Sequence, residues 1–198
     1  DVATISVDTA GGEVTEDGTL STNGVLSVSD IDSGEDQLQA QTGAGDNGYG
    51  TFTVNADGTW SYALDNANAD VQALGDGDSM VDTITVSSAD GSAMHEISVT
   101  INGTNDVPII DGNLVGQAFE DTLTTISGSV SVADTDSGES GTQAVVPVNG
   151  VPVVSNQGHG HYTVDTEGNW TYTIIGSQQV DNLSEGETLD DTITITAI

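Results

Sequence analysis

Neither lysine nor arginine occurs in the 198 residues, against 32 aspartates and glutamates, and the formal charge at neutral pH is -32. No ion pair between a carboxylate and a basic side chain can form. Each carboxylate must therefore find water, a backbone N–H, one of three histidines or an added cation. Nucleic acid and anionic membranes are poor partners for such a surface. Cysteine is also absent, which removes disulfides and thiolate metal sites but leaves the compartment open. No apolar run approaches the roughly 18 residues that span a bilayer, and no basic segment precedes an apolar one at the start, so the chain reads as soluble, without membrane insertion. Aromatics make up only 4% of the residues, so each core is expected to centre on one tryptophan.

Against these absences stand 35% hydrophobic residues, with Val, Ile and Trp at regular spacing. That pattern argues for folded strands between acidic clusters rather than for a disordered polyanion. Thr4 to Val7, Gly24 to Val28, Tyr49 to Val54, Thr59 to Leu64, Met80 to Ser87 and Met94 to Ile101 each alternate apolar and polar side chains with a period near two. Asn55-Ala56-Asp57-Gly58 closes a hairpin between two of them and needs a positive φ at Gly58, after which Trp60 and Tyr62 leave on one face. A helical turn is expected within Asn66 to Leu74, with Val71 and Leu74 inward.

The chain also lies on itself. Ser27-Val28-Ser29-Asp30-Ile31-Asp32-Ser33-Gly34-Glu35 matches Ser131-Val132-Ala133-Asp134-Thr135-Asp136-Ser137-Gly138-Glu139, and Glu16-Asp17 matches Glu120-Asp121. After one shift of register, Gly50 to Tyr62 falls on Gly160 to Tyr172, and Asp82-Thr83-Ile84-Thr85-Val86 on Asp191-Thr192-Ile193-Thr194-Ile195. Two tandem domains follow, 1–105 and 106–198, joined at Asn102-Gly103-Thr104-Asn105-Asp106 before the stiffening Val107-Pro108. Nothing in the second copy corresponds to Met94 to Ile101, so it is expected to lack its last strand. Asp1 falls at a repeat boundary, which suggests a piece of a longer array, monomeric in isolation, with any export signal outside it. The register shift lies at an insertion, where Asn149-Gly150 between two valine-rich arms marks a projecting edge hairpin whose prolines avoid ladder positions. Strands at this spacing point to an all-β fold, two Greek-key sandwiches of the immunoglobulin-like kind, rather than a barrel or a parallel sheet.

The acidic loops carry the chemistry. Asp30 and Asp32, Asp134 and Asp136, Asp76 and Asp78, and Glu185 and Glu187 each place carboxylates at i and i+2 next to or around a glycine. Calcium takes about six to eight oxygens at irregular geometry, which suits such loops better than magnesium does. None has the twelve-residue spacing of an EF-hand. The plainer alternative is that Asp and Gly simply make solvated turns.

At this point the sequence resembles a family. Gly50-Thr51-Phe52-Thr53-Val54-Asn55-Ala56-Asp57-Gly58-Thr59-Trp60-Ser61-Tyr62, Asp82 to Val86 and Asn102 to Pro108 are similar to the VCBS repeats of giant RTX-type bacterial surface adhesins, and the same residues resemble cadherin-like domains. The resemblance implies calcium as cofactor, held by Glu16, Asp76 and Asp78 of the first copy, Asn102, Asn105 and Asp106 of the linker, and Asp134 and Asp136 of the second. Asp30, Asp32, Glu120, Glu185 and Glu187 join this candidate set as repeats of the same elements. Cadherin linkers usually carry a further Asp where this chain has Gly103 or Thr104. The implied role is a calcium-rigidified stalk on the cell surface, exported by type I secretion, whose partners are neighbouring repeats and calcium, in adhesion or biofilm formation.

Other functions compete less well. A domain that itself binds a glycan or a host protein remains the alternative, with the Asn149-Gly150 hairpin as its natural contact. No catalytic residue is expected, because no nucleophile elbow or positioned base occurs. Thr-x-Thr runs at Thr51, Thr83 and Thr192 belong to single strands of a twisted sandwich and do not build the flat array that ice binding needs. His95, His159 and His161 are expected as solvated or surface-strand residues.

Overall fold

Alternation of large and small side chains decides the strands. In Thr59–Leu64 an extended backbone sends Trp60, Tyr62 and Leu64 to one face and Thr59, Ser61 and Ala63 to the other. A computed structural model of the chain describes residues 1–7 and 11–198, which divide into two units, Asp1–Asp106 and Val107–Ile198.

The first unit runs β1 (Thr4–Val7), β2 (Gly11–Thr15), β3 (Ser21–Ser29), β4 (Gln41–Ala44), β5 (Gly50–Val54), β6 (Thr59–Leu64), α1 (Ala69–Gln72), β7 (Ser79–Ser87) and β8 (Met94–Asn102). A five-stranded sheet in the order β1-β3-β6-β5-β4 and a three-stranded sheet β2-β8-β7 enclose one core. Phe52, Trp60 and Tyr62 from the larger sheet meet Ile97, Val99 and Ile101 from the smaller, all at most 2% exposed. Each such side chain contributes about 1.5–3 kcal/mol by leaving water. Val71 is fully buried beneath α1 and Leu74 nearly so, which gives the helical turn its anchor. The Phe52 and Tyr62 rings pack at 4.5 Å between centroids, tilted by 52°.

All six expected strands of the first unit are present, three of them longer by a residue or more, and β2 and β4 add to them. β2 begins Gly-Gly and shows no alternation, yet Val14 is buried and the strand pairs parallel with β8. That parallel pair is the exception in an otherwise antiparallel pattern.

The second unit repeats the larger sheet with β9 (Ile109–Gly112), β10 (Thr125–Ala133), β11 (Val153–Val154), β12 (Gly160–Val164) and β13 (Asn169–Ile174), in the order β11-β12-β13-β10-β9. Its core is Val130, Tyr162, Val164 and Trp170, with Ile193 and Ile195 half-buried against it. The hairpin glycines behave alike: Gly58 has φ 87 and Gly168 φ 84, and each backbone carbonyl accepts from the neighbouring strand, at Leu26 and Val130. The insertion is located by register. Val145 pairs with Val164 as Gln41 pairs with Val54, and Val153 and Val154 pair with Tyr162 and His161 as Gly43 and Ala44 pair with Phe52 and Thr51. Residues 146–152 therefore stand where the first unit has Thr42 alone. They form a two-residue hairpin, Val148 bridging Val151, with Asn149 and Gly150 both at positive φ. An edge strand tolerates this because its outer side has no ladder to break.

A carboxylate held by loop amides and a tyrosine hydroxyl anchors each unit, fully buried in the first and half-buried in the second. Asp82 is fully buried, and its oxygens accept the amides of Asn47 at 3.0 Å, Tyr49 at 3.2 Å and Thr83 at 3.1 Å and the Tyr62 hydroxyl at 3.1 Å. Asp191 repeats this with the amides of Gln157 (3.0 Å), His159 (3.0 Å) and Thr192 (2.8 Å), the Tyr172 hydroxyl (2.8 Å) and, in addition, the Ser155 hydroxyl. Burial, together with the neighbouring carboxylate, pushes both phenols well above the usual tyrosine range.

Two outcomes follow from these anchors. Asp82→Ala orphans at least the Asn47 and Tyr49 amides and the Tyr62 hydroxyl, at about 1–3 kcal/mol for each buried group, so it is expected to cost the first unit about 3 kcal/mol or more. Asp82→Asn, which keeps one acceptor oxygen, costs less. Urea denaturation followed by hydrogen exchange of first-unit amides reads both, and a loss below about 1 kcal/mol for Asp82→Ala contradicts the anchor. For Asp191, burial raises the carboxyl, but hydrogen bonds from Ser155, Gln157, Tyr172 and Thr192 outweigh it and leave the group below its ordinary 3.8. A carboxyl lowered by folding stabilises fully above its unfolded pKa, and the contribution is lost as pH falls through the folded value. The stability advantage of the native chain over Asp191→Asn is expected to hold down to about pH 4 and to shrink below it. An advantage that grows on acidification contradicts the assignment.

Candidate metal centre

Three carboxylates of the first unit converge, although the sequence separates them widely. Asp30 follows β3, Glu35 lies in the loop after it and Asp90 follows β7, yet each offers an oxygen within 4.8 Å of the others. Asp30 is fixed by its own turn: its Oδ1 accepts the Asp32 amide at 2.8 Å, and Gly34 at φ 89 turns the chain so that Glu35 follows. Its Oδ2 is buried and accepts no hydrogen bond. Asp90 is held by the Ser88 hydroxyl at 2.6 Å and the Ser92 amide at 3.1 Å, and the Ser88 hydroxyl first among these brings its carboxyl down to about 2. The site thus gathers hard oxygen donors with at least one lone pair unserved, in a chain that has no basic side chain to serve it. That donor set fits calcium.

Asp30 and Asp32 belong to the set expected from the sequence, and the fold adds Glu35 and Asp90 to them. Asp90 sits in an ordinary Asp-Gly turn after a strand, and only the fold brings it to Asp30. The repeated Ser-Gly-Glu after both Asp pairs was the available signal for Glu35.

At the other end of β7, about 30 Å away by strand rise, lie the linker residues. Glu16 is 2% exposed; its carboxylate accepts the Thr104 amide at 3.1 Å and the Gln72 side-chain amide at 3.1 Å, and its own amide donates to the Asn102 carbonyl at 3.1 Å. Gly103 donates to the Asp78 carbonyl at 3.0 Å, so Glu16, Asn102 and the loop carrying Asp76 and Asp78 are tied to one another. A Cβ at Gly103 would lie 2.5 Å from the Leu74 and Gly75 carbonyl oxygens, which explains the missing aspartate there. The Asp76 and Asp78 side chains are exposed around Gly77 at φ 88, and the Asn105 side-chain amide donates to the Asp106 carbonyl. Among the described residues, Glu16, Asp76 and Asp78 do not form a triad as tight as that of Asp30, Glu35 and Asp90.

In the second unit the Asp turn recurs. Asp134 Oδ1 accepts the Asp136 amide at 2.9 Å, Gly138 has φ 90, Asp134 Oδ2 is buried without a hydrogen bond, and Asp136 is 2% exposed. Glu120 Oε2 is likewise buried and accepts no hydrogen bond. Glu185 and Glu187 are exposed around Gly186 at φ 88, and Glu187 caps the Ser184 amide at 2.8 Å. All three histidines are half-buried, and His161 takes the strand position expected of it. His95 stands opposite Val86 in the β7–β8 ladder and His161 opposite Thr173, and each keeps one ring nitrogen buried without a hydrogen bond.

The comparisons agree with this architecture. The family model of the bacterial cadherin-like domain matches residues 1–103. No curated protein matches the chain. Among solved structures, the chain is similar to extracellular cadherin domains 1–4 of protocadherin gamma B7, with 16% identity and a TM-score of 0.52 over 91% of this chain and 43% of that one. It is also similar to extracellular cadherin domains 1–5 of protocadherin gamma B2, with 14% identity and a TM-score of 0.50 over 88% of this chain and 32% of that one. The chain thus spans less than half of each, and identities this low speak for the fold alone. With two sheets around one core in the first unit and a family match that covers residues 1–103, the chain belongs to the bacterial cadherin-like domain family.

Proposed function

We propose that the chain is a pair of calcium-rigidified extender domains from the stalk of a bacterial surface adhesin of the RTX type with VCBS repeats, exported by type I secretion. The stalk holds terminal ligand-binding regions away from the cell in adhesion or biofilm formation. The proposal treats the domains as extracellular and non-catalytic, as cadherin-like adhesion domains generally are. One observation carries it: in both units the first aspartate of the Asp-x-Asp turn has one oxygen served by the turn and the other buried with no donor, at Asp30 and at Asp134. The chain has no Lys or Arg, and the Asp1 ammonium bonds Asp32 rather than Asp30, so an added cation is the source of positive charge that this reading assigns to the buried oxygens.

In this reading Asp30, Asp32, Glu35 and Asp90 hold calcium at one end of the first unit. Glu16, Asp76, Asp78, Asn102, Asn105 and Asp106, with Asp134 and Asp136, are its ligands at the joint, and Glu120, Glu185 and Glu187 repeat the first-unit set. Calcium supplies there the charge that neutralises clustered carboxylates. With a dissociation constant near 0.1 mM and free calcium near 10 mM, each site adds about 2.7 kcal/mol to the folded state. Ligands drawn from a linker also remove its freedom.

A second reading rests on the hairpin of the second unit, which leaves Val146 56%, Val148 66% and Val151 66% exposed. Apolar side chains at a projecting tip suit contact with a glycan or a host protein. Small-angle scattering at constant ionic strength separates the two readings. Millimolar calcium, and not magnesium, is expected to fix the maximum dimension at one extended value. A shape indifferent to both ions contradicts the stalk and favours the hairpin as a contact.

A further inference from the structure

In the first unit β8 is the middle strand of the smaller sheet, antiparallel to β7 over Ser79–Ser87 and parallel to β2 over Gly11–Thr15. It inserts Ile97, Val99 and Ile101, each fully buried. The second unit carries a counterpart of each neighbour of that strand, one by its hydrogen bonds and one by its place in the sequence. Residues 191–198 follow the course of β7: Asn156 donates to the Thr192 carbonyl as Asp46 does to Thr83, Gln143 to Thr196 as Gln39 to Ser87, and Thr142 bridges Ala197 as Leu38 bridges Ser88. Residues 115–119 precede Glu120 as β2 precedes Glu16. Among the described residues, neither segment is part of a sheet.

Between these segments runs an apolar groove of about 1170 Å³, lined among others by Val115, Phe119, Trp170, Leu183, Ile193 and Ile195. Some of its walls are positions that the first unit keeps dry: Val14 and Ile84 are buried where Ala118 and Ile193 are half-buried. Val86 is fully buried where Ile195 is only half-buried, and Phe119 is 56% and Val115 82% exposed. The groove exceeds the roughly 300–1,000 Å³ of small-molecule pockets. Neither wall is part of a sheet, and a helix cannot pair with one because its own N–H and C=O groups are closed.

We propose that this groove is the acceptor for one extended polypeptide segment with the alternation of β8, lying antiparallel to residues 188–196 and parallel to 115–119. Polarity and chemistry are both set by the first unit. Main-chain bonds hold the segment, and alternate Ile or Val side chains fill the groove, which is the logic of strand addition to an open sheet. Glu120, Glu187 and Asp190 line the groove as well, so the segment that fits is poor in Asp and Glu. This inference needs no calcium.

The test mixes the intact 198-residue chain, in chelator, with a synthetic peptide of the Met94–Asn102 sequence, followed by calorimetry and amide hydrogen exchange. Saturable one-to-one binding is expected, with protection gained at 115–119 and 188–196. A peptide with Asn at the positions of Ile97, Val99 and Ile101 is expected to bind at least about tenfold more weakly. A spin label at the peptide's amino end is expected to broaden Thr196 and spare Thr188, because Met94 stands opposite Ser87 in the first unit. Four results overturn the proposal: no binding, equal binding of the Asn peptide, the opposite polarity, or a groove already closed by a second copy of the chain.

Discussion

A carboxylate that leaves water must be met by a donor or a cation, and this chain has no basic side chain to offer. Its two kinds of aspartate meet that demand differently. Asp82 and Asp191 are met entirely from within, by loop amides and a tyrosine hydroxyl. The same bonds hold the loops before β5 and β12 against the smaller sheet or its remnant, so anchor and fold are one arrangement. Asp30 and Asp134 are met only in part: one oxygen closes the turn and the other has no donor. The first kind is satisfied by the fold itself, and the second leaves one buried oxygen at each turn without a donor.

Much of the fold was legible because local chemistry and tertiary context agree. The alternation in Thr59–Leu64, the Asn-Ala-Asp-Gly turn and the apolar pair Val71 and Leu74 all demand the conformations that the structure adopts. The all-β sandwich follows from them. β2 was not legible, since two leading glycines show no pattern and its pairing with β8 spans most of the unit. β4 is short and polar and earns its place only as the edge partner of β5.

The candidate site divides in the same way. The Asp-x-Asp turns are local, and their spacing alone marked Asp30, Asp32, Asp134 and Asp136. The convergence of Glu35 and Asp90 on Asp30 is a property of the loop after β7 lying beside the loop after β3, and no local pattern announces it. In the sequence Asp82 is one residue of a strand motif; its burial makes it the polar centre of the first unit. The insertion at 146–152 shows the converse: its turn was plain in the sequence, but that it interrupts an edge strand needed the register of β11 on β12.

The central claim is that calcium supplies the positive charge missing at the Asp turns. The most direct measurement is the denaturant stability of the chain in chelator, in calcium and in magnesium at matched ionic strength, for the native sequence and for Asp30→Asn with Asp134→Asn. The account predicts a gain of about 2.7 kcal/mol per site at a hundredfold excess of calcium over its dissociation constant, little gain in magnesium, and loss of most of the calcium effect in the double variant. Stability that follows ionic strength alone, identical in native and variant chains, would contradict it.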